Sequence, residues 1–204
     1  MQFASDSQTQ SMGNPVGEWY AAYVKHQHEK NAAHLLQRKG VEVFLPQQKV
    51  IHRWKDRNKT LYLPLFPGYL FFHSNLQDKL EIVGTPGIFY VLESAGRASA
   101  IPRHEIESIR RVTESGVQAH AHPFLASGDQ VEICSGPLSG VIGMLTRCKN
   151  QYRVVLNVEL LQRAVSIEVD ATSVKRIGIL KRTSDPAARE LNKSAKSTED
   201  IHRI

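Results

Sequence analysis

The sequence predicts an α+β protein, in which a sheet with helices packed on it is followed by a small β-barrel. Three observations predict this. Between Glu18 and Glu114, strand-like runs alternate with segments of helical periodicity. From Gly128 the pattern changes to short apolar runs, Val131–Cys134, Val141–Leu145, Arg153–Leu156 and Ala164–Val169, separated by Gly, Pro, Asn and Asp. Between these regions, Ser115 to Ser127 carries Gly116, Pro123, His120 and His122 and has little periodicity, so it reads as a linker.

Each element has its own signal. Glu18 to Val24 is rich in aromatic and apolar residues and reads as a strand. Glu29 to Lys39 places Ala32, Ala33, Leu35 and Leu36 at helical spacing and ends at Gly40, a good terminator. Val41 to Leu45 alternates like a strand. Gln48–Trp54 and Thr60–Leu65 form the arms of a hairpin with a polar tip, Lys55 to Lys59. Tyr69 to Phe72 predicts a buried strand, Leu76 to Val83 a short helix and Gly87 to Leu92 another strand. Ile101 to Glu114, opened by Pro102, predicts a helix with Ile106, Ile109 and Val112 turned inward. Residues 1–17 read as a flexible leader and residues 179–204 as a polar tail, which leaves 18–114, 115–127 and 128–178 as first domain, linker and second domain.

Composition narrows the class. Apolar residues make up 41% and charged residues 23%, which is globular usage and not that of a disordered chain. The net charge of +6 points to an anionic partner: nucleic acid, a membrane surface or an acidic protein face. Cys134 and Cys148 have no CxxC spacing, no apolar leader segment precedes them, and no apolar run reaches the roughly 20 residues of a membrane helix. A reduced cytoplasmic protein with no membrane contact is expected.

Three segments together carry a resemblance. Trp19-Tyr20 and Tyr23 precede a helix. Pro64-Leu65-Phe66-Pro67-Gly68-Tyr69-Leu70 precedes a strand. Gly128-Asp129-Gln130-Val131 and Gly136-Pro137-Leu138-Ser139-Gly140 are followed by Arg163-Ala164 and Val174-Lys175-Arg176-Ile177. In this order, over residues 18 to 178, the chain resembles the NusG family of transcription elongation factors. The resemblance implies an N-terminal NGN α/β sandwich, an antiparallel sheet with flanking helices, and a C-terminal five-stranded, SH3-like KOW barrel. Pro64 to Pro67, Lys25 and the short hairpin are similar to the specialised paralogues typified by RfaH. In one such group the second domain refolds into helices. The Val, Ile and Gly content here favours a permanent barrel.

The resemblance also implies the sites. Tyr23, Phe66, Pro67 and Tyr69 would form an apolar hollow that grips the clamp of the largest RNA polymerase subunit. Aromatic rings suit that task because each buries a large area with few rotors to freeze. Lys25, His28, Arg53, Lys55 and Arg57 would line a positive edge for the non-template DNA strand, tracking phosphates without reading bases. In the barrel, Leu138, Leu160, Leu161 and Arg163 would meet the ribosomal protein NusE or the termination factor Rho. Leu161 stands where family members often carry an aromatic residue, and the loop Gly136 to Gly140 is shorter than in housekeeping NusG. The factor so implied is a monomer that modulates pausing, termination and antitermination. The alternative is an RNA-binding or ribosome-associated KOW module without polymerase contact, which has no need of exposed Phe66 and Tyr69.

No catalytic set, cofactor or metal site is expected. No Gly-Lys-Ser or Gly-Lys-Thr phosphate loop is present, and His26/His28 and His120/His122 have no cysteine or carboxylate cluster to complete a metal site.

Overall fold

The computed structural model describes residues 17–53, 57–77, 79–148 and 151–180. Residues 1–16 of the expected leader and most of the expected tail lie outside these residues, as does Lys55 at the hairpin tip. Strands β1 (Glu18–Val24), β2 (Glu42–Phe44), β5 (Tyr69–Ser74) and β6 (Ile88–Val91) form an antiparallel sheet in the order β2-β5-β1-β6. Helices α1 (Glu29–Arg38) and α2 (Lys79–Val83) accompany it, and α3 (Arg103–Glu114) leads towards the C-terminal strands. Strands β3 (Gln47–Arg53) and β4 (Asn58–Pro64) pair only with each other, as a two-stranded ribbon. A second, minor hairpin, β7 (Glu93–Ser94) with β8 (Arg97–Ala98), was not predicted by periodicity because its arms are two residues each.

The alternation of β1 separates two cores. Tyr20, Ala22 and Val24 face α1 and pack with Ala32, Leu36, Leu70 and Phe72. Trp19 and Ala21 face the other way, into a cluster with Phe66, Phe71, Ile101 and the inward stripe of α3, Ile106, Ile109 and Val112. These three α3 residues are fully buried, as their spacing predicts. Arg110 on the same helix lies over the rings of Trp19 and Phe44, at 5.4 and 5.2 Å.

The C-terminal region is a six-stranded antiparallel sheet in the order β14-β10-β11-β12-β13-β9, with β10 (Gly128–Ile133), β11 (Ile142–Cys148), β12 (Gln151–Val158), β13 (Arg163–Val169) and β14 (Val174–Leu180). The first four of these strands overlap the four predicted apolar runs, β14 takes up the Val174–Ile177 segment, and the described residues between 128 and 180 contain these strands, two short 3-10 turns and no α-helix. The sixth strand, β9 (Ala119–Pro123), comes from the expected linker and pairs with β13 from Ala119↔Ile167 to Pro123↔Arg163. Its sequence, Ala-His-Ala-His-Pro, alternates small and polar side chains and has no β-branched residue, so the propensity signal is weak. Backbone pairing makes the strand, and the Asn157 amide fixes its exit by bonding both the N–H and the carbonyl of Leu125. Gly143 is required where β11 crosses β12: a Cβ there would lie 2.5 Å from Val154 and 2.7 Å from the Val155 carbonyl oxygen.

The core beneath α3 does not stop at the first sheet. Val131, Ile133, Leu138, Val141, Val154, Leu156, Val158 and Leu161 belong to the same buried cluster as Trp19 and Phe71. Polar contacts edge this seam: Arg111 donates to the Ser139 carbonyl at 3.3 Å, and the Glu159 N–H donates to the Glu105 carboxylate at 3.3 Å.

Candidate functional site

Tyr23 is the last outward-alternating residue of β1 on the α3 side, beyond the reach of the helix stripe. Register places Tyr69 of β5 and Tyr90 of β6 directly beside it. The result is a row of three tyrosines across three strands. Ring centroids stand 5.3 Å apart for Tyr23–Tyr69 and 5.2 Å for Tyr23–Tyr90, and Phe89 stacks on Tyr23 at 5.8 Å. Cross-strand ring pairs of this kind stabilise the sheet while leaving edges and faces for a partner. Phe89 is 56% exposed and Tyr90 48%. Burial of its inner edge pushes the Tyr90 hydroxyl above its ordinary value, with Tyr23 adding to the effect.

The predicted hollow is therefore corrected in membership. Phe66 is 1% exposed and meets Phe71 edge-on at 5.6 Å within the core. It faces inward because the turn that exposes Pro67 sends the preceding ring under the sheet. Its place in the exposed cluster is taken by Phe89 and Tyr90, which sequence reasoning treated only as part of a strand. The antiparallel register Tyr23↔Tyr90 is the signal that finds them, and it is non-local. Pro67 is exposed, and Tyr23 and Tyr69 are half-buried, so three of the four predicted residues sit together.

The basic residues fall into two groups. Lys25 is exposed and His28 half-buried in the loop between β1 and α1, where the Lys25 N–H donates to the Gly87 carbonyl at 2.8 Å and the His28 Nδ1 lies 3.1 Å from the His26 carbonyl oxygen. Arg53 and Arg57 are exposed on the ribbon. Register adds Lys49 opposite Tyr62, on the same ribbon face as Arg53, and Tyr62 is 53% exposed. A basic ribbon with an exposed ring suits a nucleic-acid strand, since cations follow phosphates and rings stack on bases.

The predicted barrel site is also corrected. Leu138 and Leu161 are buried in the shared cluster, and Leu160 packs against it. Leu161 lies in the short 3-10 turn Glu159–Leu161 that rests beside α3, so contacts distant in sequence cover it. Arg163 remains partly exposed, and its guanidinium lies over the Tyr69 ring at 5.2 Å, which brings the two predicted protein-binding sites into contact. Among the described residues, no group of three or more His, Cys, Asp or Glu side chains could hold a metal ion, and no helix is long and apolar enough to cross a membrane.

The family described as transcription termination factor nusG matches residues 17–110, which contain all the strands of the first sheet and the whole aromatic row. The transcription termination/antitermination protein NusG of Thermus thermophilus is 29% identical over 180 residues, covering 77% of this chain and 97% of that protein. Residues 17–110, the first domain, are matched by the NusG family. A solved structure of Thermotoga maritima NusG, described as showing domain interaction, matches with a TM-score of 0.51 at 18% identity, over 79% of this chain and 98% of that one. That likeness supports the fold alone. The matched region is the α+β first domain, and the likeness in fold extends over the β-rich second one.

Proposed function

We propose that this protein is a NusG-family factor that acts by binding alone, with the Tyr69–Tyr23–Tyr90 row and Phe89 as its contact to the clamp of the largest RNA polymerase subunit. The observation that carries this is an aromatic patch left open at the end of an otherwise roofed sheet. Exposed, clustered rings on a small domain are the composition of protein interfaces, and a ribosome-associated KOW module needs no such patch. Holding one clamp arrangement shifts a population and so changes pausing without covalent chemistry. The ribbon carrying Lys49, Arg53 and Arg57, with Lys25 and His28 nearer the row, is placed in this reading on the non-template DNA strand. In the second domain, Leu160 and Arg163 are its contacts to NusE or Rho. Leu138 and Leu161 support them from within, and Arg163 exchanges Tyr69 for the partner when the two meet.

Retention of purified RNA polymerase by the full chain, compared with Phe89→Ser and Tyr90→Ser, tests the reading. Both substitutions replace exposed rings and leave the core intact, unlike any change at Phe66. Loss of about tenfold or more in retention is expected for each. Wild-type retention by both variants would remove the patch from the mechanism.

A further inference from the structure

Glu29 opens α1 and is 3% exposed. A buried carboxylate costs free energy that an apolar side chain of similar size does not, so its placement needs a physical reason. The helix end does not supply one, because an acid in the first turn complements the dipole equally well from the surface. The His28 side chain makes no capping bond. The Glu29 carboxylate instead reaches across to the turn before β5, where the Gly68 N–H donates to its Oε1 at 2.8 Å.

Gly68 is held on its other side as well. Its carbonyl accepts the Val24 N–H at 2.8 Å, which ties the turn to the end of β1. Its φ of +81° suits glycine, and a Cβ there would lie 3.3 Å from the Tyr23 ring. On one flank Phe66 is anchored in the core, and on the other Tyr69 begins the strand that carries its ring to Tyr23. The turn therefore has three fixings: a ring below, a β1 amide at its carbonyl, and the Glu29 carboxylate at its N–H.

We infer that Glu29 is the positioning residue of the aromatic row: by fixing the Gly68 peptide, it sets the angle at which Pro67 and Tyr69 are presented beside Tyr23. This inference rests on the row being the polymerase contact. The Glu29 oxygen accepts this N–H inside the fold, where no water competes for it, so an acceptor at this reach holds the turn in a single conformation.

Three full-chain variants test it. Glu29→Gln keeps an acceptor oxygen at the same reach. Glu29→Asp keeps the charge and shortens the reach by one methylene. Glu29→Leu removes the acceptor. Two readouts are taken: amide hydrogen exchange at Gly68, and retention of purified RNA polymerase. The Gln variant is expected to stay within about threefold of wild type in both. The Asp and Leu variants are expected to exchange the Gly68 amide about tenfold faster and to lose about tenfold in polymerase retention, while Leu36 in α1 keeps its protection. Unchanged Gly68 exchange in the Asp variant overturns the inference. So does wild-type polymerase retention in a variant whose Gly68 amide has been freed. If the Leu variant does not fold, Asp against Gln decides. If the wild-type chain itself does not retain polymerase, the functional reading falls, and Gly68 exchange still decides whether Glu29 sets the turn.

Discussion

The two ends of β1 carry similar side chains on the same face and have opposite fates. At one end Trp19, with Phe71 and Phe44 from neighbouring strands, lies beneath α3 and the Arg110 guanidinium. At the other, Tyr23 and Tyr69 are half-buried and Tyr90 and Phe89 beside them are exposed. Ring content does not separate them. What separates them is the length of the helix that roofs the sheet, together with a hydroxyl on three of the four open rings that tolerates water at its tip. An aromatic residue marks a binding site only where the structure leaves it uncovered.

The comparison can be broken most directly at the covered end. Phe71→Ala is expected to cost about 3–5 kcal/mol in urea unfolding, because the ring is fully buried and packs against Phe44 and Phe66. A loss below about 1 kcal/mol would mean that α3 is not a firm roof.

The next effect concerns the outer side of that roof. Burial against the second domain raises the Glu105 carboxyl from 4.5 to about 7; the Glu159 N–H opposes the shift, and the Glu159 carboxylate adds to it. The docked form therefore holds the proton more tightly than a solvated carboxyl does. Its contribution is fully present below pH 4.5 and is lost as the pH rises through 7, where the charged form has to be buried. Docking of the two domains, followed by the NMR signals of Arg163 and Tyr69, is expected to loosen across that window. Glu105→Gln, which keeps an acceptor for the Glu159 N–H, is expected to flatten the dependence. An identical pH profile in that variant would assign the titration elsewhere.

Smaller again is the ribbon. Lys49→Gln or Arg53→Gln is expected to weaken binding to a single-stranded oligonucleotide and to lower the slope of log affinity against log salt by about 0.7 each. The smallest effect sharpens the contrast: Tyr90→Ser is expected to change unfolding stability by less than about 1 kcal/mol, since half of the ring is already in water. A loss comparable to that of Phe71→Ala would erase the distinction between the two ends.

Much of the fold was legible because its signals are local. The Ala32–Leu36 spacing, the Ile106–Ile109–Val112 stripe and the change of pattern at Gly128 each mark an element through neighbours within one or two turns. The site was only partly legible. Tyr23, Pro67 and Tyr69 followed from their motif. Phe66 was assigned to the wrong side because a turn, not an alternation, decides which way it points. Phe89 and Tyr90 became visible only once strand order placed β6 beside β1. Leu138 and Leu161 read as exposed loop residues because the helix that covers them is about 30 to 50 positions away in sequence. The strand in the linker was missed because His120 and His122 carry no apolar alternation.

That strand sets a leash with two lengths. While β9 stays zipped to β13, the chain between the end of α3 and the second domain is only Ser115 to Gln118, roughly 14 Å at full stretch. The C-terminal sheet can then tilt or slide over α3 but cannot travel. If β9 peels away, the tether runs from Ser115 to Ser127 and spans roughly 45 Å. How far one half of this molecule can wander from the other is thus governed by five residues of weak strand character, and a proline or a β-branched substitution among them would reset the range.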